Sequence, residues 1–370
     1  MRATVAVLMS LLSTSLLRAT VSGDSRQGEF RISTLSGNQI DPAISGSTVV
    51  WTRDVTGDNR IPRGDLYGRD IATGRSFRVT TNGAVVGGLG GLQAIPAISG
   101  SLVVWVDCRG CHAANGLPGF GNTAIYGKNL ATGREFPIAT GAGDNDSPAS
   151  DGTTVVWVNH LHGATRIYGK NLVTGQTFPV MAPGEAVSSP SISGQLVVWQ
   201  QNTASGAASD IVGKNLVTGR LFPVALHRGA RDTLTTPIIS GKTVIWSDWL
   251  ANRTVSIHGR NLATGAELRI VDIPPDRYNP QFGPFKAVSN RLVVWDEARN
   301  TVSSGNPQYG IYAKNVATGQ ALLLSQDPHD QQAPAVNGKV VVWQDLRGAL
   351  IAGSGQSLNS DIYGRVVPGN

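Results

Sequence analysis

Two cysteines three positions apart, with a histidine directly after the second, form the densest chemical motif of the chain: Cys108-Arg109-Gly110-Cys111-His112. Residues of this type at this spacing suit three chemistries. They can attach a c-type haem through two thioethers with the histidine as axial ligand, join further histidines around a metal, or close a tight disulfide. His160 and His162 are the nearest extra ligands for the metal reading. The haem reading is weakened because Asp107, Arg109 and Gly110 recur as Asp345, Arg347 and Gly348, so half the motif is repeated sequence. No helix is apparent beside it to hold a porphyrin, and no distal ligand is identifiable. These are the only 2 cysteines among 370 residues. The expected state is a Cys108–Cys111 disulfide with no resident cofactor and no metal. A haem on Cys108, Cys111 and His112 is kept as the alternative.

Two other groups could bind. Trp249, Tyr278, Phe282 and Phe285 lie close in sequence beside Asp248, Arg277 and Asn279, as in a platform that stacks on sugar rings. A recurrent amide also stands three residues before a recurrent proline, at Gln39, Gln93, Asn145 and Gln331. If the prolines ring a central channel, these amides form its mouth, where they could hold a cation, a trapped water or a small polar ligand; the plainer expectation is that they bridge adjacent blades. A basic residue recurs too, at Arg69, Lys128, Lys170, Lys214, Arg260, Lys314 and Arg365; its expected role is to lay an aliphatic stem over the surface with a solvated head. Hydrolase templates are missing: neither Gly-x-Ser-x-Gly nor His-Glu-x-x-His occurs.

What must position these groups is a repeat. The phrase Pro-Ala-Ile-Ser-Gly-x-x-Val-Val-Trp-x-Asp, a variable stretch, then Ile-Tyr-Gly-Lys-Asn-Leu-Ala-Thr-Gly-x-x-Phe-x-Val returns seven times. Its anchors are Trp51, Trp105, Trp157, Trp199, Trp246, Trp295 and Trp343, at gaps of 54, 52, 42, 47, 49 and 48 residues. Four short apolar runs per unit at this period predict an all-β, seven-bladed β-propeller of four-stranded blades. The last unit lacks its fourth strand, and Glu29-Phe30-Arg31-Ile32-Ser33 matches the missing segment. The N-terminal strand 29–33 is therefore expected to complete the blade begun at 334–367, which removes an exposed sheet edge. Short Ser-Gly and Thr-Gly turns fall at one end of such a ring. The long connections 108–123, 201–209, 297–309 and 346–360 fall at the other, the end where binding is expected.

The residues Trp343-Gln344-Asp345-Leu346-Arg347-Gly348 and Asp361-Ile362-Tyr363, with Ala-Thr-Gly turns between, resemble the repeats of TolB-like (WD40-like) propellers. The resemblance spans residues 29–367. It implies an exported β-propeller without the N-terminal α/β domain of TolB, so a role in the Tol system does not carry over.

Met1-Arg2, the apolar stretch Ala3 to Leu17 and the small residues Val21-Ser22-Gly23 read as a signal peptide over residues 1–23, with the propeller over 24–370. The expected location is periplasmic or extracellular, without a membrane span. The 31 basic residues outnumber the 25 acidic ones only mildly and form no cluster, which argues against nucleic acid. The reading is a monomeric, non-enzymatic binding or scaffold module that takes a protein or glycan on its variable-loop face. The rivals are a carbohydrate-active lyase or hydrolase with a site on that face, and the haem protein.

Overall fold

The β-branched pair before each anchor tryptophan sets the packing. Side chains alternate across a strand, so in Val-Val-Trp the first valine and the tryptophan share one face and the second valine takes the other. The structure is a computed structural model that describes residues 28–54, 64–81, 96–109, 122–181, 186–203, 206–227, 229, 233–278, 284–300, 308–347 and 360–368. In it Val49 and Trp51 pack with Val342 and Ile362 of the last repeat, whereas Val50 joins Val103 and Trp105 of the second. The same split recurs along the chain, so a buried cluster joins each repeat to the next and the last to the first. All the anchor tryptophans are buried in these clusters.

Each repeat is an antiparallel sheet with an inner, a second, a third and an outer strand. In repeat 1 these are Asn38–Ser45, Thr48–Asp54, Gly64–Asp70 and Ser76–Arg78. In repeat 2 they are Ala97–Ser99, Leu102–Asp107, Ala124–Asn129 and Glu135–Ala139. Repeats 4 and 5 merge into one larger sheet through a parallel bridge between Ser209 and Thr233. Repeat 7 supplies Gln331–Asn337, Val340–Asp345 and Asp361–Val366, and its outer strand is Glu29–Arg31, with Glu29 opposite Arg365 and Arg31 opposite Tyr363. The described residues form strands, turns and bends with no helix, and none could therefore be a helical membrane span.

The third-strand phrase Ile-Tyr-Gly-Lys has a role at each position. The tyrosine stacks on the anchor tryptophan, as in Trp105–Tyr126 at 6.5 Å, Trp157–Tyr168 at 6.1 Å and Trp295–Tyr312 at 5.8 Å between ring centroids. The glycine makes room for the outer-strand phenylalanine: a Cβ on Gly68, Gly169 or Gly213 would fall within 2.5–2.7 Å of Phe77, Phe178 or Phe222. The basic residue does not extend a solvated head. Arg69, Lys128, Lys170, Lys214, Arg260, Lys314 and Arg365 donate to the backbone carbonyls of Ile32, Val79, Ile138, Val180, Val224, Ile270 and Leu324, at 2.6–3.2 Å. Each carbonyl belongs to the outer-strand region of the preceding repeat. The basic ring is a set of stitches between repeats, and the expectation of solvated heads is corrected.

The inner strands carry a recurrent kink. Asp41, Ser147, Ser189, Thr236 and Ala333, each just ahead of the inner-strand proline, have φ of 46–53°. The pairing slips at that point in all five repeats. A residue before proline ordinarily stays extended, and a left-handed non-glycine costs about 1–3 kcal/mol, so the surrounding sheet must impose it. Repeat 6 departs from this. Lys286 replaces the proline, and Lys286–Ser289 pairs with its neighbour without a slip.

Candidate functional site

The amides expected at the channel mouth are satisfied by partners in their own and the preceding repeat: Asn145 Nδ2 of repeat 3 donates to the Thr123 carbonyl of repeat 2 at 2.9 Å, and Gln331 of repeat 7 bonds Arg299 of repeat 6. Gln39, Asn145 and Gln331 are all buried, and Gln93 lies outside the described residues. The indole N–H of Trp51 donates to Gln39 Oε1 at 2.7 Å, and that of Trp157 to Asn145 Oδ1 at 3.0 Å. Gln39 Nε2 turns back to the Gly37 carbonyl at 3.0 Å. Gln331 Oε1 accepts from Arg299 Nη2 at 2.6 Å, and its Nε2 donates to the His329 carbonyl. The open ring of amides is thus replaced by ties within and between repeats that hold the anchors and the entering loops.

Four further anchor indoles use the second residue after the tryptophan. Trp105, Trp199, Trp295 and Trp343 donate to Asp107, Gln201, Glu297 and Asp345 at 3.0–3.3 Å. Repeat 1 has Arg53 at that place, which explains its reliance on Gln39; in repeat 3, Asn159 Nδ2 and the indole share Asn145 Oδ1. The signal was in the sequence as Trp-x-Asp, Trp-x-Gln and Trp-x-Glu, but its target was not.

In repeats 2 and 7 the aspartate also holds an arginine. Arg109 forks onto Asp107 at 2.8 and 2.7 Å, reaches Glu135 at 2.8 Å and lies 3.9 Å above the Tyr126 ring. Arg347 does the same with Asp345 at 2.8 and 2.7 Å, Glu29 at 2.6 Å and Tyr363 at 3.9 Å. Cys108, between Asp107 and Arg109, is disulfide-bonded. Cys111 and His112 lie outside the described residues.

The aromatic set divides. Tyr278 is only 4% exposed, and its hydroxyl donates to the Arg253 carbonyl at 2.7 Å. Desolvation raises its phenol above the ordinary range, and Arg253 opposes this. The expected stacking face of Tyr278 is corrected to a core role, because a long loop needs its own apolar support. Trp249 stands half-buried, edge-on to Tyr278 at 5.4 Å, with its N–H on Thr235 Oγ1 at 3.1 Å. Phe285 is also half-buried, and Phe282 lies outside the described residues.

Histidines at the loop end are paired one by one. His160 meets Asp146 at 2.9 Å, His227 meets Asp210 at 2.7 Å and His329 meets Asp327 at 2.6 Å. The Asp146 hydrogen bond raises the His160 imidazole, against partial burial. Among the described residues no three His, Cys, Asp or Glu side chains converge as a metal site would require.

Two isolated charges sit at the inner edge. Asp41 is 1% exposed and neither carboxylate oxygen has a hydrogen-bond partner. Burial pushes its carboxyl up to about 7. Lys286 is buried in repeat 6, with Nζ donating to Thr236 Oγ1 at 2.6 Å.

Solved structures with this architecture place it in context. TolB from Acinetobacter baumannii superposes with a TM-score of 0.52 at 14% identity, covering 83% of this chain and 66% of that one. An oligogalacturonate lyase from Vibrio parahaemolyticus gives 0.60 at 14% identity, covering 94% and 96%. This chain has a TolB-like β-propeller fold. A puromycin-hydrolyzing peptidase from Mycobacterium tuberculosis gives 0.59 at 12% identity, covering 88% of this chain but 50% of that one. The chain thus spans about two thirds of the TolB structure and half of the peptidase. No family model matches the sequence, and no curated protein does.

Proposed function

We propose that this TolB-like fold is an exported, seven-bladed propeller that works as a binding module without catalysis. Its ligand, a protein or a glycan, docks at the end where the long connections emerge. The observation that carries this reading is the contrast between the two ends. At one end the third-to-outer turns are near copies: Asp70, Asn129, Asn171, Asn215 and Asn261 each cap two backbone N–H groups through Oδ1, and a glycine of positive φ closes each turn. At the other end the connections differ in length and composition, which is how a rigid scaffold acquires specificity.

Trp249 and Phe285, both half-buried, are the aromatic contacts a glycan could still use. The leader-like residues 1–23 support export. A haem on Cys108 and Cys111 would require thioethers in place of the bond that Cys108 makes. The enzymatic alternative draws on the oligogalacturonate lyase, whose whole length this chain covers at the level of fold.

Two measurements decide between them. Purified protein is screened on a glycan array and incubated with oligogalacturonate. Binding that is lost in Trp249→Ala at a temperature where the variant is still folded, with no cleavage of oligogalacturonate, is the expected result. Cleavage of that substrate would overturn the proposal in favour of the lyase.

A further inference from the structure

Six repeats place proline in the inner strand, at Pro42, Pro96, Pro148, Pro190, Pro237 and Pro334; repeat 6 places Lys286 there. The exchange gives the strand back its regular pairing and puts an amine at the inner edge of the ring. Lys286 is 7% exposed, and its Nζ lies 2.6 Å from the hydroxyl of Thr236. Thr236 is the left-handed residue of the neighbouring repeat, and it is exposed. The amine therefore sits on an inner strand, one hydrogen bond away from an exposed residue.

Its surroundings separate it from the other lysines. Lys128, Lys170, Lys214 and Lys314 donate to backbone carbonyls of the preceding repeat. Lys242 and Lys339 are exposed on turns. Facing Lys286 is Asp296 of the adjacent strand, whose two oxygens accept from the backbone N–H of Phe285 at 2.9 Å and of Ala333 at 3.0 Å. Tyr309 and Asp330 lie beyond it and influence one another electrostatically. Burial brings the Lys286 amine down to about 7 against the pull of Asp296. Burial also pushes the Asp296 carboxyl up to about 7, opposed by its backbone donors and by Lys286. An amine that loses its proton near neutrality is a nucleophile.

We propose that Lys286 is a carbonyl-reactive amine that captures a small aldehyde or ketone as an imine, with the Thr236 hydroxyl placed to donate to the carbonyl oxygen. The neutral Nζ lone pair attacks the carbonyl carbon, and the C=O π pair moves to oxygen. That oxygen gains a proton and the nitrogen loses one, giving a carbinolamine. Water then leaves as the C=N bond forms. The atoms balance without an oxidant or reductant. This site does not depend on the loop-end binding reading, and either can fail alone.

The test uses the full chain, propionaldehyde and sodium cyanoborohydride, which reduces the imine to a stable secondary amine located by peptide mass spectrometry. At pH 7 Lys286 is expected to be alkylated at least tenfold faster than Lys242 or Lys339. Its rate should rise to a plateau with a midpoint near 7, the value its surroundings set. Asp296→Asn removes the charge that favours the ammonium and should move the midpoint down. Thr236→Val should slow labelling at the plateau while Lys242 labels as before. The proposal is overturned if Lys286 stays unmodified while Lys242 and Lys339 react, or if its rate keeps rising through pH 10 in parallel with theirs.

Discussion

Repeats 2 and 7 build the same clamp from different parts of the chain. Asp107, Arg109, Tyr126 and Glu135 repeat as Asp345, Arg347, Tyr363 and Glu29, with arginine-to-carboxylate contacts of 2.6–2.8 Å in both. In repeat 2 the glutamate follows the arginine by 26 positions; in repeat 7 it comes from 318 positions away. The chemistry is local in one and joins the two ends of the chain in the other. Arg347 is also the more enclosed, its side chain 11% exposed against 30% for Arg109, with Asp327 at 3.7 Å. Identical bonds thus carry different structural loads, decided by what else separates when they break.

The sharpest way to expose that difference is to remove the N-terminal strand. Ile32 and Ser33 are buried, Arg31 bonds Asp361 at 2.7 Å, and Arg69 of repeat 1 holds the Ile32 carbonyl. A chain starting at residue 34 loses these and leaves Arg347 without Glu29. The side chain of Ile32 alone is worth about 1.5–3 kcal/mol, so the total loss should reach several kcal/mol with a broadened urea transition. An unchanged transition would mean that the ring does not close through this strand.

Arginine removal comes next. Arg347→Met leaves Asp345, fully buried, and Glu29 without their cation, and breaking a buried pair in this way costs about 3–5 kcal/mol. Arg109→Met leaves Asp107 equally buried, but Glu135 is less enclosed and no seam opens. The loss at Arg109 should be smaller by about 1–2 kcal/mol, read from paired urea denaturations. Equal losses would show that the clamps are interchangeable and that closure rests on the strand pairing alone.

Much of the fold was legible because the repeat wrote each structural rule seven times. Val-Val-Trp gave the alternation, Thr-Gly the turns, and the match of Phe30-Arg31-Ile32 to Phe77-Arg78-Val79 pointed to the pairing that Glu29–Arg31 makes. The site was far less legible. The amides showed as a pattern with two expectations, and Asn145 and Gln331 make the ties between adjacent repeats that one of them named; the basic ring was given the wrong surroundings, because spacing does not show what a polar head meets. From its loop Tyr278 suits either a stacking platform or a small apolar cluster beneath the loop, and it is buried in the cluster with Trp249, Ile257 and their neighbours. In the sequence Lys286 shows only as a departure from proline. Its meaning came from Thr236 and Asp296, 50 positions before it and 10 after it, which only the ring brings together.

Repeat 1 meets repeat 7 across the same seam and adds a pH dependence. Burial raises the Asp41 carboxyl to about 7, well above the ordinary carboxylate value of about 4. With the folded value above the unfolded one, the folded state keeps a proton that the unfolded state releases. Stability contributed by this group is therefore present below about pH 4 and is lost as pH rises to about 7. Asp41→Asn should raise the unfolding free energy at pH 8 by an amount on the order of a few kcal/mol, and leave it nearly unchanged at pH 4, as read from urea denaturation. A gain of the same size at both pH values would show that the carboxyl is not the group responsible.

The smallest effect should come from the one residue that differs inside the two clamps. Repeat 2 reads Asp107-Cys108-Arg109 where repeat 7 reads Asp345-Leu346-Arg347. Leu346 N–H donates to the Asp330 carbonyl at 2.9 Å, so repeat 7 ties its connection to a neighbouring loop. Repeat 2 uses a covalent bond at Cys108 instead, and Cys111 is the other cysteine of the chain. A disulfide between them closes a very short loop, and the entropic gain from a crosslink grows with loop length. Cys108→Ser should therefore cost about 1 kcal/mol or less, well below Arg109→Met, because the aspartate–arginine fork survives it. Two titratable thiols in freshly isolated, non-reduced protein would sink the pairing. A loss as large as that of Arg109→Met would mean that the crosslink, and not the fork, holds the start of the long connection in repeat 2.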